Sequence, residues 1–449
     1  MSFTHLHVAT AFSAHYGVSW PDELAAAAAA DGATALACTD RDGLYGTVKH
    51  LKACMAAGLD PIVGVDLAVL DDDGDLSTQV GGRVLVLAHG HNNGAGYRAL
   101  CRLISDAHAR TTGKAGGPVP VAVTRAELAS RTLSPETLQP VLTVLIGPDS
   151  DVGREMGGRR YLRPRTLFKR WLDALPPGTL AAEVVTQLST PGEPLSTAHA
   201  VRMLKLAAEH GVPAVLSNAV RYVAEDGAAT ADVLDSARTL KSLPELSAAP
   251  LLQPNGQGWL KSASQMLQLG KEIMAAAGYG TADLKRLMAQ TEALADRCRM
   301  DPVADMGWKQ PVVPEASVIG IAGDPLVELT QRCEAGISRR FPGIRGKAAE
   351  QLRHRLGHEL RIIDSLGFAS YFLTVAEVSR MILDMGVRAA GPRIRGFQSG
   401  QLPDRGQPGE PARARPHFRT LFVPGPRHPA GHRHRRRKRR TAQRLPEDL

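Results

Sequence analysis

Short apolar runs, many of them β-branched, recur along the first half of the chain with room for a helix between most of them. They cover residues 4–8, 35–40, 61–66, 83–88, 140–147, 180–185 and 213–216, and each has strand length. The stretches between them read as helices over residues 20–31, 44–57, 96–108, 159–172 and 195–210. Parallel neighbours need a long connection, so strands alternating with helices predict parallel pairing. A closed or nearly closed (β/α) barrel is the preferred architecture, and an open doubly wound sheet is the alternative.

After about residue 225 the pattern changes. Strand signals stop, and residues 243–259 form a connector punctuated by Pro244, Pro250, Pro254, Gly256 and Gly258. Helical periodicity then dominates over 281–299, 324–340 and 348–366, the last placing Leu352, Leu356, Leu360 and Ile363 on one stripe. Residues 368–385 follow as an apolar segment. The expected division is a barrel domain over 1–235, a mainly helical module over 236–390, and a tail over 391–449.

Charge sharpens this division. The tail holds fourteen Arg and one Lys against two Asp and two Glu, a balance of +11. The whole chain carries +9, so residues 1–390 sum to −2 and the basicity belongs to the tail. Rich in Pro and Arg and without apolar periodicity, the tail cannot bury enough surface to offset its ordering entropy, which predicts disorder. Its run over 432–440 could bind phosphate backbones by charge alone. The five cysteines are scattered without a CxxC pair, which excludes a zinc ribbon or a disulfide framework and points to a reducing cytoplasm. No apolar run is long enough for a membrane span, and no signal-peptide pattern opens the chain.

Candidate chemistry sits where the early strands end, the edge at which such folds gather their sites. His5 and His7 are two apart on an expected strand, which would send both imidazoles from one face about 6–7 Å apart. Asp66 and Asp40 would add oxygen ligands, and Zn, Mn or Fe class ions suit such donors. A mixed His/carboxylate cluster of this kind serves phosphate ester hydrolysis through metal-activated water. Taken alone, an HxH pair more often marks two histidines without a metal. A second candidate is the basic segment Arg159, Arg160, Arg163, Arg165, Lys169 and Arg170, interleaved with Tyr161, Phe168 and Trp171, which could bind nucleic acid with stacking platforms. The plainer reading is an amphipathic helix with its aromatics inward and its arginines in water, and that reading is preferred.

The motifs in order resemble a known family. His5-Leu6-His7, Phe12-Ser13 with Gly17, Thr39-Asp40 with Gly43 and Gly46, Ala57-Gly58 and the 61–66 run PIVGVD resemble the PHP (polymerase and histidinol phosphatase) domain. The version is the one that opens the alpha subunit of bacterial DNA polymerase III and its error-prone relatives, the C-family DNA polymerases. The 216–222 run LSNAVRY resembles the last barrel motif. Glu359-Leu360 and the 367–375 run GFASYFLTV resemble the entry to the polymerase palm. The resemblance implies a PHP-type distorted (β/α)7 barrel, then a mainly helical module and the disordered basic tail. For the full-length family it implies magnesium, DNA, deoxynucleotides and other polymerase subunits as partners, with no membrane.

Set against the family's metal pattern, the site departs. His5 and His7 are kept, and Asp66 stands for a glutamate. Ala9, Tyr16, Arg41, Arg83, Ala219 and Arg221 stand where metal ligands are expected. A guanidinium is always protonated and cannot ligate, so Zn or Mn binding is doubtful and the barrel is expected to serve structure and partner contacts. After Ala390 the sequence leaves the family pattern for Pro, Arg, His and Gly, which reads as an out-of-frame stretch of a GC-rich gene. The palm aspartates are not found, so no polymerase catalytic residue is assigned. The leading reading is the N-terminal portion of a DNA-directed DNA polymerase of replication or translesion repair. A stand-alone PHP phosphoesterase or 3′–5′ exonuclease, and a non-catalytic partner-binding chain, are the alternatives.

Overall fold

In a computed structural model, residues 2–71, 79–109, 120–156, 162–248 and 255–387 are described. The tail over 391–449, Arg159, Arg160 and part of the 243–259 connector lie outside them. The chain divides into two compact units, residues 1–310 and 311–449.

The first unit is built on a curled sheet. Among the described residues its strands are β1 (Ala35–Cys38), β2 (Asp60–Leu70), β3 (Val80–Ala88), β4 (Ala122–Val123), β5 (Leu142–Ile146), β6 (Leu180–Val185) and β7 (Ala214–Ser217). The order is β1-β2-β3-β5-β6-β7, with β4 paired beside β2. β1 with β2, β5 with β6 and β6 with β7 are parallel, as the sequence pattern requires. β3 corrects the all-parallel expectation, running antiparallel to both β2 and β5. Residues 71–79 between β2 and β3 are too few for a crossover helix, so parallel pairing of these two strands is out of reach.

The expected first strand over 4–8 is not a regular strand. It is an extended segment lying between β7 and β1, held by Ala37 N–H to the His5 carbonyl (3.1 Å), Thr39 N–H to the Val8 carbonyl (2.9 Å) and Val220 N–H to the His7 carbonyl (2.9 Å). One parallel bridge, Val8 to Val220, joins it to the stretch after β7. That segment closes the curl at one end.

Helices pack on the outside. They are α1 (Pro21–Ala30), α2 (Thr47–Ala57), α3 (Ala95–Ala109), α4 (Arg125–Arg131), α5 (Asp151–Met156), α6 (Leu162–Ala174), α7 (Thr197–Glu209), α8 (Gly227–Thr239) and α9 (Leu243–Ala248). Two more, α10 (Ala263–Ala277) and α11 (Thr281–Cys298), belong to the first unit although the expected barrel domain stops at 235. α10 buries Met266, Leu269, Ile273 and Met274 against Ala182, Val184 and Leu216 of β6 and β7. α11 sends Leu294, Ala295 and Cys298 into the barrel interior, among Leu6, Ala35, Ala37, Ile62, Leu85, Leu87, Leu145, Ala181 and Val215. Its Thr291 hydroxyl accepts Leu216 N–H at 2.9 Å and its Gln290 side chain accepts Ala214 N–H at 3.2 Å. Those two groups satisfy the free edge of β7, which no strand among the described residues covers at that end.

The second unit carries α12 (Pro325–Arg340), α13 (Gly346–Ser365) and α14 (Ala369–Asp384). The sequence stripe Leu352, Leu356, Leu360 and Ile363 is buried, with Leu329, Cys333, Ile337 and Leu373, in a core of its own. No single helix among the described residues is long and apolar enough to cross a membrane.

Candidate functional site at the polar end of the barrel

Strand alternation fixes which side chains enter the barrel. Asp66 lies four residues after interior Ile62, Glu183 two after Ala181, Ser217 two after Val215, and Arg83 two before Leu85. A polar layer therefore lies beyond the apolar one, at the end where the parallel strands finish.

Asp66 is its centre. Oδ1 accepts Arg83 Nε at 2.9 Å and Oδ2 accepts Arg41 Nε at 2.9 Å, so each oxygen has its own guanidinium. Arg83 also donates to the Asp66 carbonyl (2.7 Å) and to Asp42 Oδ1 (2.8 Å). Arg41 lies with its Cζ 3.3 Å from the centroid of the Tyr16 ring, and Arg221 lies 4.1 Å from the same centroid. Arg221 in turn makes a two-pronged pair with buried Asp235, at 2.9 and 3.1 Å. Burial would raise the Asp66 carboxyl, but Arg83, Arg41 and then His7 outweigh it and hold it at about 2.

His7 points to the same layer. Its Nδ1 pairs with Glu183 Oε1 at 2.7 Å, and the same oxygen accepts the Ser217 hydroxyl. Burial pulls the imidazole down, yet the charge and hydrogen bond of Glu183, with Asp66 and Asp149 behind it, hold His7 above its ordinary value. Gly147 makes room for this carboxylate, because a Cβ there would fall 2.1 Å from Glu183 Oε2.

His5 does not join His7. Its Nε2 bonds the Lys261 carbonyl at 2.8 Å and its ring packs edge-on to Phe3, outside the barrel. Burial lowers it to about 4, which keeps it neutral. The expectation of one shared face fails because the N-terminal segment breaks alternation: Leu6 and His7 both enter the barrel, whereas Val8 packs outside with Leu24 and Leu36. Asp40 is likewise elsewhere. It takes the amide and hydroxyl of Thr10, the Ser13 hydroxyl and Gly46 N–H, and so organises the 10–13 turn. Burial raises its carboxyl against those donors. Of the two aspartates, Asp66 is the one that the arginines hold.

On the basic segment, Arg163, Arg165, Lys169 and Arg170 are exposed, while Phe168 and Trp171 are fully buried against the sheet. Arg163 pairs with Glu155 and Arg165 with Glu209. The two aromatics are therefore core residues and offer no stacking surface. Sequence reasoning did not place Glu183, Ser217, Asp149 or Asp235 at the site. Glu183 stood as a lone carboxylate inside the apolar run 180–185, and Ser217 stood in the 216–222 motif without a role.

The metal centre implied by the family resemblance would draw on this layer, and its donors do not fit one. Both Asp66 oxygens are held by guanidiniums, Glu183 holds His7, and His5 faces elsewhere. Among the described residues no three His, Cys, Asp or Glu side chains converge to hold an ion.

Comparison with known proteins bears on the same residues. Residues 5–187 match the PHP domain, and residues 327–400 match the bacterial DNA polymerase III alpha NTPase domain. The error-prone DNA polymerase of Symbiobacterium thermophilum is 31% identical over 405 residues, covering 87% of this chain and 33% of that protein. The DNA polymerase III subunit alpha of Pseudomonas aeruginosa is 27% identical over 413 residues, covering 90% and 31%. The chain thus spans about a third of the length of these relatives. Among solved structures, an amidohydrolase from Chromobacterium violaceum is 16% identical, covering 49% of this chain and 88% of that one at a TM-score of 0.31.

Proposed function

The chain carries a PHP domain followed by sequence of the bacterial DNA polymerase III alpha type, and from that premise we propose that it is the N-terminal portion of a C-family DNA-directed DNA polymerase whose barrel serves structure and partner contacts. DNA, deoxynucleotides and the catalytic magnesium ions belong, in this reading, to the parts of the longer relatives that this chain does not span. Other polymerase subunits are the partners of the barrel's outer surface. The work is that of error-prone or replicative synthesis.

The observation that supports this most is the clamp on Asp66. A carboxylate with a guanidinium on each oxygen is already neutralised, and the two fixed positive charges oppose any cation brought beside it. The competing reading, a PHP phosphoesterase or 3′–5′ exonuclease, rests on the His7–Glu183 pair, which orients an imidazole toward the polar layer. Metal content and thermal stability of the full chain separate the two. An ion bound only by the folded protein, at a hundred times its Kd, adds about 2.7 kcal/mol of stability. The expected result is no rise in Tm with Zn or Mn and no hydrolysis of phosphate esters. A stoichiometric ion with a clear rise in Tm would overturn the proposal.

A further inference from the structure

Residues 90–94, between β3 and α3, are wound in a conformation that their sequence does not favour by itself. His91, Asn93 and Gly94 all have positive φ, at 55°, 53° and 74°, and only the last is a glycine. Left-handed residues this close together turn successive backbone N–H groups toward one side, the geometry of an anion-binding nest. The nest is filled from within the molecule. Asp305 Oδ1 accepts Asn92 N–H at 3.1 Å and Gly94 N–H at 3.0 Å, while Oδ2 accepts His91 N–H at 2.7 Å and Asp301 N–H at 2.9 Å. Gly94 is required on a second count, since a Cβ there would fall 2.4 Å from the Asp305 carbonyl oxygen. Burial would raise the Asp305 carboxyl, but those four donors outweigh it and hold it below its ordinary value.

Asp305 belongs to a strap, residues 299–308, that runs on from the end of α11 as a bridge and turns. Its start is fixed twice over. Arg299 forms an antiparallel bridge with Ile62, and Met300, buried in the core, donates its N–H to the Pro61 carbonyl at 2.9 Å. Beyond Met300 the strap bonds mainly to itself: Asp301 Oδ1 accepts Val303 and Ala304 N–H, Asp305 N–H reaches the Asp301 carbonyl, and Trp308 N–H reaches the Pro302 carbonyl. Against the barrel, Met306 adds partly buried packing, and the Asp305 carboxylate adds its three charge-assisted hydrogen bonds to the nest. A segment with so little apolar cover opens at a lower free energy than a packed core.

We propose that residues 301–308 are a latch, closed by the Asp305 carboxylate in the 91–94 nest, whose opening sets the length of the connection to the second unit. With the latch shut the chain is fixed to the first unit as far as Trp308; with it open, as far as Met300. Opening therefore frees eight residues, 301–308, a reach of about 27 Å when extended. Hydrogen exchange of the full chain tests this. In Asp305→Asn, which keeps the shape and loses the charge, the backbone amides of His91, Asn92, Gly94 and residues 301–308 should exchange at least about tenfold faster, while those of β5, β6 and β7 keep their protection. In Asp305→Gly, sodium acetate at about 0.1 M should return the protection and sodium chloride at the same ionic strength should not, because only a carboxylate refills the nest. Unchanged exchange in Asp305→Asn, an equal loss of protection across β5, β6 and β7, or an Asp305→Gly variant that acetate fails to rescue or chloride rescues equally well would each overturn the proposal.

Discussion

At Asp66 a buried carboxylate depends on two arginines, so taking one away leaves a charge with half its compensation. Breaking a buried pair from one side costs about 3–5 kcal/mol, and with Arg41 still in place Arg83→Leu is expected to cost about 3 kcal/mol. Arg163→Leu, which breaks an exposed pair, should stay within about 0.5 kcal/mol. Urea unfolding of both variants checks the contrast, and equal effects would mean the clamp is not structural. The pH dependence has two limbs of opposite sign. Asp66 is held below its ordinary 3.8 at about 2, so its contribution, roughly 2 kcal/mol, is present above the ordinary value and is lost as pH falls toward 2. His7 is held above its ordinary 6.5, so its contribution is present below that value and is lost as pH rises through the raised one. His7→Gln should flatten the alkaline limb and leave the acid limb in place. An alkaline limb unchanged by His7→Gln would show that Glu183 does not hold a proton on this imidazole.

Among the elements, α11 is the one whose role exceeds its sequence signal. Read alone it is an ordinary amphipathic helix over 281–298. In place, its apolar face fills the barrel's apolar end and its Gln290 and Thr291 bond the open edge of β7. Leu294→Ala should therefore cost about 3 kcal/mol, as for a large-to-small change in a tightly packed core. Thr291→Val leaves the Leu216 N–H without a partner and should cost about 1–3 kcal/mol despite its conserved shape. If both variants unfold with wild-type midpoints, the helix is peripheral. β3 shows the reverse case: its apolar character was legible, but its direction was not. Direction depends on how far the preceding connection can reach, and the alternation of the strand itself is the same either way.

For the whole molecule, the compact barrel unit runs to Gln310 because α10 and α11 cover β6, β7 and the barrel's apolar end. A polypeptide ending at residue 240 would expose Leu6, Leu145, Val215 and Leu216, whereas one ending at 310 retains their cover. The longer fragment is expected to unfold cooperatively and the shorter to bind a hydrophobic dye and aggregate. Cooperative unfolding of the 240-residue fragment would place the cover elsewhere.

The sequence by itself determined the strand runs, the long periodic helices and the side chains that share a face within a regular strand, since period-two and period-3.6 patterns are local properties of the chain. It also carried the motif order that resembles the PHP domain and the polymerase that follows it. Only the tertiary structure decided that His5 leaves the barrel while His7 enters it, because a segment held between two neighbours without a regular ladder need not alternate. It alone decided that Arg41 and Arg83 meet on Asp66 and Arg221 on Asp235, since those partners sit on different elements, 14 to 25 residues apart, and meet only once the elements pack. Which carboxylate neutralises which guanidinium is a matter of distance in space, and sequence spacing holds no record of it.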